Sequence, residues 1–199
     1  MARWAELADP SFDFSTAFAR FRSLYRPAHF ESGERSVRGS KRGEMIARCV
    51  VESATSSFYS AIRDAAAEPV LNEVAGRIAA DEFRHYRLFY EILDAETEPD
   101  LPLWRKLWVA ATRVAESDDD ELACAYYCAN VPVAEAHAVP YRRKFFVRAY
   151  RAKVGALYRR HHIDKMVKMS VKPAGINPSG RVSQFASAAL WRMLNSHAG

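Results

Sequence analysis

The sequence has little glycine, little cysteine and no long apolar run. Eight glycines in 199 residues are few for a protein of strands and tight turns, and none of them forms a glycine-rich phosphate loop. No stretch approaches about 18 uninterrupted apolar residues, which argues against a helix that spans a membrane. The three cysteines, Cys49, Cys124 and Cys128, are too few for a disulfide framework, so we expect reduced and buried thiols.

Apolar residues recur with the period of an amphipathic helix through most of the chain. A composition of 49% hydrophobic and 12% aromatic residues argues against disorder, and the fold class predicted is all-α. Because the run Met1–Trp4 does not begin a signal peptide, we expect a cytoplasmic protein. The pattern predicts a short helix at 12–25, a polar stretch at 31–42, and longer helices at about 43–66, 68–95, 104–116, 118–138, 140–169 and 182–195.

Two polar side chains interrupt the apolar stripe of the helix predicted at 68–95. Glu82 and His85 are three residues apart, which places them on one helix face, one turn from each other. An ionised carboxylate that faces a core is costly unless it is paired or bound to a cation. The pair is therefore either a salt-bridged, partly exposed contact or part of a metal site. The predicted inner stripe consists of Leu71, Ala75, Ile78, Glu82, His85, Phe89 and Ile92.

A second carboxylate is predicted to lie at the same level. Glu52 belongs to the preceding helix. If the turn between the two helices falls near residues 67–69, Glu52 lies about as far before it as Glu82 lies after it. In an antiparallel hairpin, Glu52, Glu82 and His85 would then meet and could hold a metal ion.

Glu52 and the run Asp81-Glu82-Phe83-Arg84-His85 together resemble the first half of a ferritin-like di-iron carboxylate protein. This form of the motif is similar to that of the acyl-carrier-protein desaturases and the rubrerythrin relatives, and the resemblance extends to tRNA hydroxylases. Proteins of this superfamily bind two metal ions between four helices. Two of the helices each supply a Glu, and the other two each supply a Glu-x-x-His motif.

The resemblance implies a ferritin-like four-helix bundle with extra N- and C-terminal helices. The bundle would occupy residues 43–171. A leader with a short helix would precede it at 1–42, and a linker and a helix packed on the bundle would follow at 172–199.

The second half of this bundle departs from the family pattern. Its first helix carries Glu121, but its second helix contains no Glu. Reflected through the intervening turn, Glu121 comes level with Tyr158, which would replace the missing Glu, and the imidazole would come from His161 or from His162. Asp164, three residues after His161, is an alternative source of negative charge. The sequence does not distinguish between the two histidines.

The cofactor implied by the resemblance is iron, with two ions, or one if the second half-site is lost. Glu52, Glu82 and His85 would hold the first ion, and Glu121 with one of the histidines would complete the second. The implied activity is an oxygen-dependent oxidation or hydroxylation of an unknown substrate. The alternative is a non-catalytic bundle that has lost part of the site and acts as a binding or scaffold protein. A homodimer is compatible with both.

Charge is distributed unevenly along the chain. Residues 139–199 contain 13 basic residues and one acid, a net charge of +12, whereas residues 1–138 carry a net charge of −7. A basic segment of this kind attracts nucleic acid, an anionic membrane surface or an acidic protein. It could equally pack beside the acidic first half of the chain. With the family resemblance, the acidic partner expected for residues 142–172 is an acyl carrier protein or an RNA.

Overall fold

The described part of the chain folds into α-helices, with 3₁₀ turns at Val133–Glu135 and Lys172–Ala174. The computed structural model describes residues 2–25, 38–116 and 120–196, and these ranges contain no β-strand, which confirms the all-α fold class. Every helix in these ranges is either too short or too polar for a membrane span. The helices are α1 (Ala2–Ala8), α2 (Phe14–Leu24), α3 (Lys41–Ala65), α4 (Pro69–Ala95), α5 (Leu103–Glu116), α6 (Asp120–Asn130), α7 (Arg143–Gly155), α8 (Arg160–Val171) and α9 (Arg181–Ser196).

The described residues form two compact units that alternate along the chain. The small unit comprises residues 2–25 and 120–156, with α1, α2, α6 and α7. The large unit comprises residues 38–116 and 157–196, with α3, α4, α5, α8 and α9. The predicted three-part division of the chain, and a ferritin-like bundle over residues 43–171, stay predictions.

The core of the small unit is built from α2, α6 and α7. Tyr127 packs edge-on against Phe146, with ring centroids 4.7 Å apart. The guanidinium of Arg20 on α2 lies 4.3 Å from the centroid of the Tyr127 ring. Cys124 and Cys128 are buried in the same cluster. All three cysteines of the chain are buried free thiols, as predicted.

The α3–α4 hairpin is the centre of the large unit, and α5 and α8 pack against α3. The side chain of Ser40 accepts a hydrogen bond from the backbone N–H of Gly43 and caps α3. The carboxylate of Glu68 caps α4 in the same way, and Pro69 occupies the first turn. Such residues favour a helix start at these positions, so both helices begin close to their predicted bounds. Within the predicted polar stretch, residues 31–37 lie outside the described part of the chain.

Buried serines allow α3 to approach two neighbouring helices closely. The hydroxyl of Ser56 donates to the carbonyl oxygen of Ala79 on α4, at 3.0 Å. The hydroxyl of Ser57 donates to the carbonyl oxygen of His162 on α8, also at 3.0 Å. Because each buried hydroxyl has a partner, the small polar side chains fill the helix contacts without a desolvation penalty.

Two predicted helices are shorter in the structure than the apolar pattern indicated. The helix predicted at 118–138 ends at Asn130, because Pro132 has no backbone N–H and cannot continue it. The first two residues of that prediction lie outside the described part of the chain. The prediction of a single helix at 140–169 was wrong, since α7 ends at Gly155 and α8 begins at Arg160.

A side-chain cap starts α8 as a separate helix. Arg159 has an extended backbone, with φ −112° and ψ 161°. Its backbone N–H donates to Nδ1 of His162, at 2.9 Å. This bond takes the place of the Glu or Gln contact in an ordinary capping box. The apolar pattern does not reveal it, because histidine is not the usual residue at that position.

Candidate metal centre

Glu52, Glu82 and His85 come together across the contact between α3 and α4. Glu52 lies as many residues before the end of α3 as Glu82 lies after the start of α4, so the antiparallel hairpin places them at one level. The Nδ1 atom of His85 lies 3.3 Å from Oε2 of Glu82 and 3.9 Å from Oε2 of Glu52. One ligand atom from each residue lies within 4.8 Å of the other two. The predicted convergence of the three side chains is therefore present, and their binding of a metal stays a prediction.

The cluster lies at the edge of the helix pair and not in its core. The side chains of Glu52 and Glu82 are 15% and 22% exposed, whereas that of His85 is 57% exposed. The inner face of α4 therefore differs from the predicted stripe. It is rotated around the helix toward small residues, which allow α3 to come close, and toward Tyr86, which packs against Cys49 and Met169. The residues of α4 that are buried are Ala75, Ala79, Tyr86 and Leu93.

The two carboxyl groups of the cluster cannot both ionise without cost. Burial raises the pKa of Glu52, and a hydrogen bond and the charge of Glu82 raise it further, to about 7. His85 and Arg48 act in the opposite direction and only partly offset these effects. Near neutral pH the Glu52 carboxyl is therefore partly protonated. A divalent cation bound beside it could replace that proton.

The donor set fits a divalent transition metal. Carboxylates and imidazole are ligands for iron, manganese and zinc, and three protein ligands leave positions open for water or a substrate. Cys49 lies on the same hairpin but is not suited as a ligand. Burial, with a smaller contribution from the charge of Glu52, raises the pKa of its thiol to about 12, so the thiol stays protonated.

A second cluster lies where the end of α3 meets the start of α8. Nε2 of His162 lies 2.9 Å from Oδ2 of Asp64, and Nε2 of His161 lies 3.2 Å from the same oxygen. Both histidines predicted as metal ligands are therefore paired with an acid that the sequence analysis did not identify. Asp164, the alternative partner predicted for His161, instead accepts a hydrogen bond from Arg160, at 2.9 Å.

Hydrogen bonding fixes the tautomer of His162. Its Nδ1 atom accepts from the backbone N–H of Arg159, so in the neutral ring Nε2 carries the hydrogen and donates to Asp64. Neither nitrogen then has a lone pair available for a metal ion. The ring is buried, and burial lowers its pKa. His161, whose side chain is 61% exposed, is the histidine of this pair whose geometry allows coordination.

The second cluster fits a metal less well than the first. Burial opposes ionisation of Asp64, but hydrogen bonds from His162, Arg63 and His161 outweigh it and lower the pKa of this carboxyl. A guanidinium nitrogen of Arg63 lies 2.7 Å from Oδ1 of Asp64. The carboxylate already has a cationic partner, and a metal ion would have to compete with that partner for the same group.

A row of small polar residues on α3 could have identified Asp64. Ser53, Ser57 and Ser60 are buried and recur at helical spacing, and Asp64 follows one turn later. Small polar residues on one face indicate a close helix contact. The row therefore marks the face of α3 that packs against α8.

The remaining predicted ligands lie in different units. Glu121 is exposed in the first turn of α6, in the small unit. Burial raises the pKa of Tyr25 in that unit, and the charge of Glu121 adds to the effect. Tyr158 precedes α8 in the large unit, with its ring centroid 6.0 Å from that of His162. The second metal site predicted with Glu121, Tyr158 and His161 stays a prediction.

Comparison with known proteins identified no relative of this chain. No family model, no curated protein and no solved structure matches the chain. Function is therefore inferred from the geometry of the side-chain clusters and from the resemblance of their motif.

Proposed function

We propose that this chain is a ferritin-like metal-binding protein whose centre is formed by Glu52, Glu82 and His85. The observation that carries the proposal is the convergence of one ligand atom from each of the three residues within 4.8 Å. The raised pKa of Glu52 supports it, because a site with two close carboxylates is stabilised by a cation. Iron is the proposed metal, on the resemblance of the motif to the di-iron carboxylate proteins.

The proposed activity is an oxygen-dependent oxidation or hydroxylation in the cytoplasm. Ferrous iron, when bound, would be the group that reacts with dioxygen. Glu52 would give up its proton as it binds the metal, and the carboxylates of Glu52 and Glu82 would offset the charge of the metal. The exposure of His85 leaves one side of the centre open to a substrate.

The proposed centre is asymmetric. Residues 139–171 contain no Glu, so a second ion held by Glu121, Tyr158 and His161 would have few anionic ligands. Such an ion should bind more weakly than the first, or be absent.

A non-catalytic binding or scaffold protein is the second candidate function. It is favoured by the hydrogen bonds that engage both ring nitrogens of His162, since one predicted ligand is then structural. It is also favoured by the missing Glu of the second half-site.

We also propose that the basic segment at 142–172 binds an acidic partner. An acyl carrier protein and an RNA are both compatible with its charge and with the family resemblance. A homodimer is part of the same proposal.

Dioxygen uptake separates the two candidate functions. Metal-depleted protein is loaded with ferrous iron under anaerobic conditions, freed of unbound iron and mixed with oxygenated buffer. An oxidase or hydroxylase should consume dioxygen in proportion to its bound iron, and Glu82→Gln should lose this uptake. Glu73→Gln is the control, because Glu73 lies on the same helix in an exposed ion pair with Arg77. Retained iron without dioxygen uptake would favour the scaffold, and no retained iron would reject the metal centre.

A further inference from the structure

A groove runs along the large unit between α4 and α8. Two adjoining pockets of about 490 Å³ and 420 Å³ share Phe83, Lys168 and Met169 and so form one continuous groove. Phe83 and His85 are two residues apart and project in directions about 160° apart around the helix. The groove therefore lies on a different flank of α4 from the Glu52 cluster.

One wall of the groove is a row of aromatic rings on α4. The rings of Phe83 and Tyr86 are nearly parallel with centroids 6.2 Å apart, and those of Tyr86 and Tyr90 are nearly parallel with centroids 6.1 Å apart. The Tyr86 hydroxyl donates to the carbonyl oxygen of Met169, at 3.0 Å, which ties this wall to α8. Phe83 is 39% exposed, so its ring is accessible from the groove.

The other wall carries a row of lysines. Lys165 and Lys168 lie three residues apart on α8, about 4.5 Å along its axis, and Lys172 follows directly after the end of this helix. The Nζ atom of Lys165 lies 5.4 Å from the ring centroid of Phe83. The Nζ atom of Lys172 lies 4.3 Å from the ring centroid of Tyr90. Ammonium groups and aromatic rings therefore face each other across the groove.

The acids beside this row form their ion pairs with arginines and not with the three lysines. Glu91 is paired with Arg87 at 3.4 Å, and Asp164 is paired with Arg160 at 2.9 Å. Among the described residues, none of the three lysines forms an ion pair with a carboxylate. The groove therefore has an excess of cationic groups next to exposed aromatic surface.

We propose that this groove binds single-stranded nucleic acid. Cations at successive turns of a helix suit a chain of phosphates better than a single phosphate, and the rings of Phe83 and Tyr90 offer faces on which unpaired bases can stack. On binding, Lys165 and Lys172 move from the ring faces to phosphate oxygens. This exchanges a weak exposed cation–π contact for the stronger stacking of a base. The inference rests on the acidic partner proposed for residues 142–172, which it narrows to a single strand, and does not depend on the metal centre.

Fluorescence anisotropy with a labelled oligoadenylate of about 12 nucleotides tests the lysine row. Three phosphate contacts on a single strand predict that log K falls with log salt with a slope of about −2. The combined variant Lys165→Gln, Lys168→Gln and Lys172→Gln should lose most of that slope and weaken binding about tenfold or more.

The matched control removes the same charge from elsewhere in the chain. Arg22→Gln, Lys41→Gln and Arg181→Gln replace exposed residues of α2, α3 and α9, which lie outside the basic segment 142–172 and do not line the groove. This control should keep the affinity and the salt slope. If both triple variants lost affinity and salt slope equally, the effect would come from net charge alone, and the proposal would be overturned.

A second pair of substitutions tests the aromatic row. Phe83→Leu combined with Tyr90→Leu retains apolar volume and removes two stacking faces. It should weaken binding of the strand about tenfold and leave the salt slope unchanged, because no cation is lost. Unchanged affinity in this variant would overturn the stacking part of the proposal.

Three further ligands distinguish a single strand from other phosphate-bearing ligands of the groove. A duplex of the same length and free adenosine monophosphate should bind more weakly than the strand. The duplex hides the faces of its bases, and the mononucleotide engages only one lysine. Tighter binding of either one would overturn the proposal. So would lysine-dependent binding to phosphatidylserine vesicles without binding of the strand, which would make the groove a membrane-surface site.

Discussion

The carboxyl groups of Glu52 on α3 and Glu82 on α4 converge on one imidazole, with Oε2 of Glu52 3.9 Å and Oε2 of Glu82 3.3 Å from Nδ1 of His85. Burial of Glu52 and the nearby Glu82 favour the protonated form of Glu52. The contact between these helices is therefore stabilised by a proton or, in our proposal, by a metal ion that replaces it.

The metal-free protein should lose stability as the pH rises from about 4.5 to about 7. The pKa of Glu52 is raised from 4.5 to about 7 on folding, so in this interval the folded chain holds a proton that the unfolded chain has released. The contribution is complete below the unfolded pKa and is lost as the pH passes the folded pKa. It amounts to about 3 kcal/mol at most.

Urea denaturation in the presence of a chelator, at about pH 5 and about pH 8, measures this effect. The lowered pKa of His162 gives a slope of opposite sign below about pH 6.5. The relevant quantity is therefore the difference in the free energy of unfolding between the wild type and Glu52→Gln. We expect the variant to gain stability relative to the wild type as the pH rises. A difference that does not change with pH would contradict the raised pKa of Glu52.

The two neighbouring histidines should differ sharply in their effect on stability. His162→Ala removes a buried ring, leaves the backbone N–H of Arg159 without its side-chain acceptor and removes one of the hydrogen bonds to Asp64, at a cost of about 2–4 kcal/mol. His161→Ala removes a largely exposed side chain and should cost less than about 1 kcal/mol. Chemical denaturation of the two variants measures the contrast. Equal losses would contradict the structural role of His162.

The serine contact between α3 and α8 should not tolerate a large side chain. Ser57→Ala removes the hydrogen bond to the carbonyl oxygen of His162 and should cost about 1 kcal/mol. Ser57→Leu should cost more than about 2 kcal/mol, since it also forces the helices apart. Ala54→Leu is the control, because Ala54 is exposed on the same helix, and it should change stability by less than about 0.5 kcal/mol. A stable Ser57→Leu variant would show that the helices are not closely packed there.

The α3–α4 hairpin could be predicted from the sequence because its determinants are local. Apolar periodicity defines both helices, and Glu68 with Pro69 marks the turn between them. The convergence of Glu52 with Glu82 and His85 follows from equal distances to that turn. A hairpin fixes which residues are level, so a one-dimensional pattern is sufficient.

The features that could not be predicted depend on contacts between distant segments. The inner face of α4 is set by small residues that let α3 approach and by Tyr86, whose bond to Met169 holds α8. The separation of α7 from α8 depends on a histidine cap, and the pairing of His162 with Asp64 joins residues far apart in the chain. Periodicity alone contains no information about which flank of a helix a third helix will cover.

Titration with ferrous iron should show that the sites are unequal. Glu52 and Glu82 offer two carboxylates to the first ion, whereas the second half-site has fewer anionic groups. We expect two distinct affinities, or saturation at about one ion per chain. His161→Ala should remove the weaker phase if one is present, and His162→Ala should do so only through loss of folding. Two sites of equal affinity would mean that the ligands of the second ion are different residues.

Iron content per chain is the most direct test of the metal centre. Anaerobically loaded wild type, Glu82→Ala, His85→Ala and the control Glu73→Ala are freed of unbound iron and analysed by elemental analysis, with circular dichroism to verify helix content. We predict about one tightly bound ion per wild-type chain, the same content in the control, and a sharp loss of iron in the other two variants with helix content retained. Full occupancy in Glu82→Ala and His85→Ala, or no iron in the wild type, would contradict the assignment of this cluster as a metal centre.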